Sequence, residues 1–428
     1  MLSLKNHSYI GNYHVTSEQG TPFLLDDKAR SQHLYILGQT GTGKSSFLRQ
    51  LISQDIASGQ GVAVFDVHGD LSEELLQAIP PERMRDVVYF DASDRERPFG
   101  FNPLANIPDN QKSVTADNII SAMRNFWGRS WGDRMEYVLK NTILALLDCP
   151  AEMEVSFLSI SRMLTDSQYR FSVQKYIQNP QVSSYWKNEF ALYPHRFKQE
   201  VISPVLNKVN TFSTDMLLRN IIGQGGNTFD IKRIMDTRQI FIANLSKGKI
   251  GAKNANLLGS LLVSSFQQTA LARAYQPAKE RVPFYMYIDE FQNFTTDEFM
   301  GIFSEARKYA LSLAVAHQFR SQLSPQVRDA VAGNVANIIL FAVSAQDAED
   351  LHKEFEPHKI TDFTSLDRGK VIARFQGDGK RRAPIRLTLP YFELDYGRGE
   401  KVRKQSRRNF GRAVAVIESK LNAWYETG

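Results

Sequence analysis

Nine residues, "GQTGTGKSS" from Gly38 to Ser46, constrain the fold more than any other stretch of this chain. They fit G-x-x-x-x-G-K-[ST], the phosphate-binding loop. An apolar run, "HLYILG" (His33 to Gly38), precedes them. "SSFLRQLISQDIA" follows, with Phe47, Leu48, Leu51, Ile52 and Ile56 at helical spacing. That context asks for a strand entering the loop and a helix leaving it. Glycines let the backbone turn tightly, so successive amides point at one anion. The helix N-terminus adds its partial positive charge. Gly38, Thr40, Gly41, Thr42, Gly43, Lys44, Ser45 and Ser46 are therefore the expected nucleotide-binding residues. Lys44 would reach the β- and γ-phosphates, and the Ser45 hydroxyl would ligate Mg²⁺. The competing reading is a glycine-rich turn that caps a helix.

The rest of the chain alternates strand-like and helical runs. "GVAVFDV" (Gly61 to Val67) and "DVVYFDA" (Asp86 to Ala92) are continuous apolar runs, as in strands buried on both faces. From about 110 to 235 strand signals nearly vanish. "TADNIISAMRNFW", "MEYVLKNTILALL", "RFSVQKYI" and "QEVISPVLNKVNTF" read as amphipathic helices. Strand-like runs then resume with "QIFIANLS", "PFYMYIDE", "LSLAVAHQ" and "NIILFAV", and "KVIARF" and "IRLTLP" read as edge strands. The fold class expected is α/β, a mostly parallel, doubly wound sheet with an inserted all-α domain. The division expected is a β-rich lead-in over 1–30, with turns at Gly11 and Gly20; a nucleotide-binding domain over 31–108 and 236–397; an all-α domain over 109–235; and a basic stretch with a final helix over 398–428.

Composition excludes some classes. Cys149 is the only cysteine, so no disulfide forms within the chain and no cysteine-rich zinc site exists. The net charge of +6 permits a polyanionic partner without requiring one. "MLSLKNHSYI" is too polar for a signal peptide, and runs such as "LLGSLLVSSF" fall short of the roughly 18–20 residues a membrane span needs. No transmembrane segment is expected. The expected location is the cytoplasm, or the inner face of a membrane through partners.

A second motif narrows the chemistry. "FYMYIDEFQNF" ends an apolar strand in Asp289 and Glu290. Asp289 would hold Mg²⁺ through a water. Glu290 could take a proton from an attacking water, which is hydrolysis rather than transfer to an acceptor. The competing reading is a strand that ends in two acids on a solvated loop. No N-K-x-D guanine motif is present, which favours ATP over GTP. Gln318, closing "LSLAVAHQ", either contacts the γ-phosphate or attacking water, or caps the next helix. Arg307 and Lys308 lie on a helix between the acid pair and that strand. In an oligomer, Arg307 could reach a neighbour's nucleotide; read without further context, it sits on a solvated helix face.

Two features point to a polyanion less firmly, and two others are read as structural. Lys247, Lys249 and Lys253 follow the carboxyl end of a strand, where ligand-facing loops lie in open α/β sheets. They would touch nucleic-acid phosphates or merely solvate a loop. "RGEKVRKQSRRNFGR" carries seven Lys or Arg and one Glu, and is either a nucleic-acid contact or a solvated run. The Trp–Gly pairs of "NFWGRSWGDRMEY" read as core packing rather than base stacking. His68 is a lone loop histidine, with Asp66 and Asp70 beside it as turn and cap formers.

Taken together, "HLYILGQTGTGKSS", "FDVHGDL", "FNPL", "WGDRMEYVLKN", "IANLSKGKIG", "YIDEFQNF", "SEARKYALSLAVAHQ" and "SAQDAEDL" span residues 33 to 351 in order. With the C-terminal "SRRNFGR", the chain resembles the conjugative coupling ATPases of type IV secretion, in the FtsK/HerA class of DNA pumps. The resemblance implies a RecA-like domain carrying an all-α insertion that faces the DNA-processing machinery. It implies a homohexameric ring that moves DNA through a central channel using ATP and Mg²⁺. It implies Arg307 as an arginine finger acting across a subunit boundary and Gln318 as the γ-phosphate sensor. Relaxase or secretion-channel proteins become candidate partners. One departure stands out. Typical members begin with transmembrane helices, and this sequence begins with the lead-in to its first strand. A soluble member docking on a membrane complex and a related cytoplasmic pump both remain open. So do a secretion ATPase that moves protein and an ATP-dependent assembly switch, although a switch needs no strong general base. Single- or double-stranded DNA is not decided.

Overall fold

The computed structural model describes residues 7–13, 21–295, 299–377, 380–390 and 395–426. They fall into two compact units. The first comprises Met1–Phe90, Ile231–Ser246 and Phe266–Ser406; the second comprises Asp91–Asp230, Lys247–Ser265 and Arg407–Gly428. The second unit therefore draws on more of the chain than the helical stretch 109–235.

The first unit is built on one eleven-stranded sheet. In chain order its strands are β1 (His7–Tyr13), β2 (Pro22–Asp26), β3 (Leu34–Leu37), β4 (Gly61–Asp66), β5 (Val87–Asp91), β6 (Ile240–Asn244), β7 (Phe284–Ile288), β8 (Leu311–His317), β9 (Asn337–Leu340), β10 (Lys370–Arg374) and β13 (Ile385–Thr388), while β11 (Gln376–Gly377) and β12 (Lys380–Arg381) form a separate small hairpin. The spatial order is β2-β1-β13-β10-β9-β3-β8-β7-β4-β6-β5. From β9 to β6 every neighbouring pair is parallel. β3, β4, β6, β7, β8 and β9 are buried along their whole length, which is why they read as unbroken apolar runs.

Beyond β9 the sheet turns antiparallel through β10, β13, β1 and β2. This corrects two readings. β10 and β13 are interior strands rather than edges, because β1 and β2 of the lead-in pair outside them. Gly11 lies within β1, not in a turn, at a register shift between Tyr9 and Gly11. A Cβ there would meet the Thr388 carbonyl oxygen at 2.8 Å, so close strand approach explains the glycine. Gly20 lies outside the described residues.

The helix Lys44–Ala57 buries Phe47, Leu48, Leu51, Ile52 and Ile56 against the sheet. Each such side chain is worth about 1.5–3 kcal/mol of burial. Behind that helix sits a buried polar knot. Arg30 pairs with Asp55 at 2.7 and 3.0 Å, and donates to Ser8 Oγ at 2.5 Å and to the Tyr287 hydroxyl at 2.6 Å. Tyr287 in turn donates to Asp55. The knot thus ties the helix leaving the phosphate loop to β7, which leads to the acid pair.

In the second unit, helices Lys112–Trp127, Asp133–Leu147 and His195–Thr214 bury apolar faces. Trp127 packs on Phe212 at 5.1 Å and stacks on Trp131 at 6.3 Å, so the Trp–Gly pairs serve packing. The helix Val414–Glu426 buries Ile417 and Leu421 against Leu158. Much of the C-terminal basic charge is paired. Arg407 engages Asp94 at 2.5 and 2.9 Å and Glu96 at 2.6 Å, and in the first unit Arg403 pairs with Glu73.

Candidate active site

Parallel register brings the carboxyl ends of β3, β8, β7 and β4 to one edge of the sheet. Leu37 lies opposite His317 and Leu340, Ile288 opposite Val315, and Phe65 opposite Ile288. Gly38, Gln318 and the pair Asp289–Glu290 are the residues that leave those ends. Gly38 N donates to the His317 carbonyl at 3.3 Å, and Gln39 N to that of Ala342 at 2.8 Å. The loop therefore begins fastened to both neighbouring strands.

Local backbone explains the glycines of the loop. Gly41 at φ +81° and Gly43 at φ +114° occupy the left-handed region, which side chains rarely enter. A Cβ on Gly38 would lie 2.4 Å from Phe341 Cβ. No side chain caps the helix that starts at Lys44, so its first amides face the loop's concavity. Lys44 is buried and its Nζ donates to the Gly38 and Gln39 carbonyls at 2.5 and 3.0 Å. Burial lowers its pKa, opposed by the nearby Glu290 and Asp289. Thr40, Gly41, Ser45 and Ser46 are exposed, and Thr42 is half-buried with its hydroxyl on the Gln39 carbonyl.

The acids do not stand on a solvated loop. Asp289 is 5% exposed and Glu290 6%. Asp289 N continues the pairing of β7 with β4 by donating to the Phe65 carbonyl at 3.1 Å. Glu290 then adopts a left-handed conformation, φ 51° and ψ 51°. Its carbonyl accepts from Asn293 N at 3.0 Å and from Asn293 Nδ2 at 2.6 Å, which holds that turn. The Glu290 carboxylate accepts from Gln318 Nε2 at 2.7 Å and from Gln292 Nε2 at 2.6 Å. Gln318 Oε1 accepts from the Thr40 hydroxyl at 2.8 Å. Gln318 thus bridges the phosphate loop and the acid pair rather than capping a helix.

Burial, together with Glu290 and Asp66, pushes the Asp289 carboxyl up to about 7, against the pull of Lys44 and the Glu290 amide. A carboxyl so placed gains from a cation beside it. No cluster of three or more His, Cys, Asp or Glu suited to a metal occurs among the described residues. The raised Asp289 carboxyl fits Mg²⁺, which binds through one or two protein oxygens, waters and substrate phosphates. Asp66 accepts from the amides of His68 and Ser72 at 2.9 and 2.8 Å, the turn-forming role read for it, and is itself fully buried. Asp70 opens the helix Asp70–Gln77, and His68 is exposed.

Two features escaped the sequence. Gln292 is one. The other is His317, fully buried, whose Nε2 lies 2.6 Å from the Tyr35 hydroxyl and whose ring meets Phe291 edge-on at 5.1 Å. Nothing in the spacing of either residue announces it.

Arg307 lies in the turn Ala306–Tyr309 that leads into β8. It is exposed, and no acid pairs with it among the described residues. No described bond joins it to its own phosphate loop. Lys247 and Lys249 lie on the short helix Lys247–Ile250 and Lys253 on Ala252–Ala272. Lys249 and Lys253 are exposed, and all three belong to the second unit, apart from the nucleotide-loop residues.

Residues 9–262 match the family described as the central domain of the helicase HerA. The chain belongs to the HerA helicase family. Its fold agrees with that assignment. The bacterial conjugative coupling protein TrwB, in an unbound form, superposes with a TM-score of 0.64 at 14% identity, covering 90% of each chain. TrwB in complex with a non-hydrolysable ATP analogue gives 0.62 at 14%, over 91% of this chain and 96% of that one. VirB4 of Thermoanaerobacter pseudethanolicus gives 0.60 at 15%, over 89% and 96%. No curated protein matches. The HerA-family chain is thus a RecA-like P-loop ATPase of the FtsK/HerA class. No described helix is long and apolar enough to cross a membrane.

Proposed function

We propose that this protein is an ATP-driven DNA translocase, working as a homohexameric ring in conjugative or mobile-element DNA transfer. The observation that carries the reading is the bridge from Thr40 through Gln318 to Glu290, at 2.8 and 2.7 Å. A protein that only held nucleotide would have no use for a buried carboxylate wired to its phosphate loop. Membership of the HerA helicase family supports DNA as the track.

In this reading ATP lies with its phosphates on Gly38–Ser46, cradled by loop amides, with Lys44 turned from the loop carbonyls to the β- and γ-phosphates. Ser45 and, through a water, Asp289 would hold Mg²⁺, which when bound neutralises charge on the phosphates. Glu290 takes a proton from a water whose oxygen attacks the γ-phosphorus. The bond to the β–γ bridging oxygen breaks, and ADP keeps the electron pair. Gln318 senses the γ-phosphate. Arg307 of a neighbouring subunit stabilises the developing charge, so turnover requires assembly. Lys247, Lys249 and Lys253 contact the phosphates of the DNA. Relaxase or channel proteins would deliver the DNA, at the cytoplasmic face of a membrane.

The test is the steady-state ATPase rate with no DNA, single-stranded DNA and double-stranded DNA, with Lys44→Ala as the blank. Stimulation by DNA, lost in the blank, is expected. Robust hydrolysis indifferent to DNA would put a secretion ATPase acting on protein in first place. Nucleotide-dependent assembly without hydrolysis would favour the switch.

A further inference from the structure

We propose that Gln292 is the positioning residue for the general base, an inference that rests on reading Glu290 as that base. Both carboxylate oxygens of Glu290 are occupied by side-chain amides, Oε1 by Gln318 and Oε2 by Gln292 at 2.6 Å. The two donors differ in what else holds them. Gln318 is anchored by Thr40 in the phosphate loop, where an arriving γ-phosphate competes for it. Gln292 lies two residues beyond Glu290 on the same turn, and none of the described hydrogen bonds joins its side chain to the phosphate loop.

The turn itself is packed and cross-bonded. Phe291 and Phe294 are buried on either side of Gln292, and Asn293 binds the Glu290 carbonyl through both its backbone and side-chain nitrogens. Gln292 Oε1 is buried and unpartnered, so its amide is spent on Glu290 alone among the described side chains. The orientation of that amide follows from chemistry, since an oxygen facing a carboxylate would be repelled.

A carboxylate turns easily about its last torsion, which has only a broad two-fold preference. Gln292 removes that freedom by fixing Oε2. Once the γ-phosphate draws Gln318 away, Oε1 is the oxygen left without a hydrogen bond from these two amides, and Gln292 keeps it aimed at the water. The attacking water then loses a proton to Oε1 as its oxygen bonds to the γ-phosphorus, while the bond to the β–γ bridging oxygen breaks and ADP keeps that electron pair.

The experiment uses the full chain with the DNA that stimulates it most, and compares wild type, Gln292→Leu, Gln292→Met and Glu290→Gln. Gln292→Met keeps the length of the side chain, loses the donor and adds no charge beside Glu290, so it reports even where Gln292→Leu fails to fold. The expected result is a kcat lowered about 10- to 100-fold in both Gln292 variants, as for a misplaced catalytic group. KM for ATP, the Kd of a fluorescent ATP analogue and the melting temperature stay within about threefold or a few degrees of wild type. A kcat within twofold of wild type, or a loss that tracks weaker ATP binding, overturns the proposal while an inactive Glu290→Gln leaves the base assignment standing. A Glu290→Gln variant that turns over normally overturns both.

Discussion

Gln318 donates to Glu290 at 2.7 Å while its own carbonyl oxygen accepts from Thr40 at 2.8 Å. One side chain therefore bonds the phosphate loop at one end and the Glu290 carboxylate at the other. Gln318→Ala should keep ATP affinity and lose about 10²–10³ in kcat, the usual cost of one well-placed transition-state donor. Equilibrium binding of a fluorescent ATP analogue beside steady-state turnover checks this. Weakened binding with normal kcat would assign Gln318 to nucleotide recognition instead.

Arg307 is exposed and far along the chain from its own phosphate loop. Arg307→Ala should bind ATP normally and lose about 10³–10⁵ in rate. A finger that acts on a neighbour also predicts complementation. Glu290→Gln subunits, which keep their arginine, should restore turnover when mixed with inactive Arg307→Ala subunits. Mixtures that stay inactive would place Arg307 on a solvated face.

The buried knot of Arg30, Asp55 and Tyr287 predicts a stability effect. Arg30→Met leaves Asp55 buried without a counter-charge, at a cost of about 3–5 kcal/mol. A thermal melt should show a large drop in Tm for Arg30→Met. The double variant Arg30→Met/Asp55→Leu should recover much of it, because replacing both members of a buried pair is far milder than removing one.

Burial holds His33 down to about 4 and His317 down to about 3, so both are neutral in the folded chain. Unfolding lets each bind a proton near its ordinary value of 6.5, so the unfolded state takes up more protons as pH falls. Stability from these residues is complete above about pH 6.5 and is lost progressively below it, by on the order of a few kcal/mol as pH nears 4. Around His317 stand Lys44 and Arg320, and around His33 stands Arg307, all of which oppose its protonation. Melting temperatures from pH 8 to 4.5 should fall more steeply for wild type than for His317→Gln. Parallel curves would remove His317 from the acid response.

The parallel half of the fold is legible because its strands are buried on both faces and its helices are amphipathic, so period and length separate them. The antiparallel half is not. β10 and β13 look like edge strands, and only the distant pairing of Tyr13 with Leu387 and Asn12 with Thr388 covers them. Such long-range register leaves no local trace. The same contrast holds at the site. Gly41, Gly43, Lys44 and Ser45 follow from the conformational and chemical needs of a phosphate cradle, and Asp289 and Glu290 from an apolar strand that ends in acid. Gln292 and His317 depend on where a left-handed turn at Glu290 and a hydroxyl on β3 place their partners. The ion pairs of the C-terminal basic run leave no local trace for a related reason, since the acids that pair with Arg403 and Arg407 lie more than 300 residues away.

Movement along DNA driven by hydrolysis at Glu290 is the function proposed for this protein. It is tested most directly by displacement: streptavidin from the end of biotinylated single strands, and a third-strand oligonucleotide from duplex DNA, each with ATP and with a non-hydrolysable analogue. Wild type is expected to give ATP-dependent displacement from at least one substrate, and Glu290→Gln, which still binds ATP, to give none. DNA-stimulated hydrolysis without displacement from either substrate, or displacement by Glu290→Gln, would contradict it.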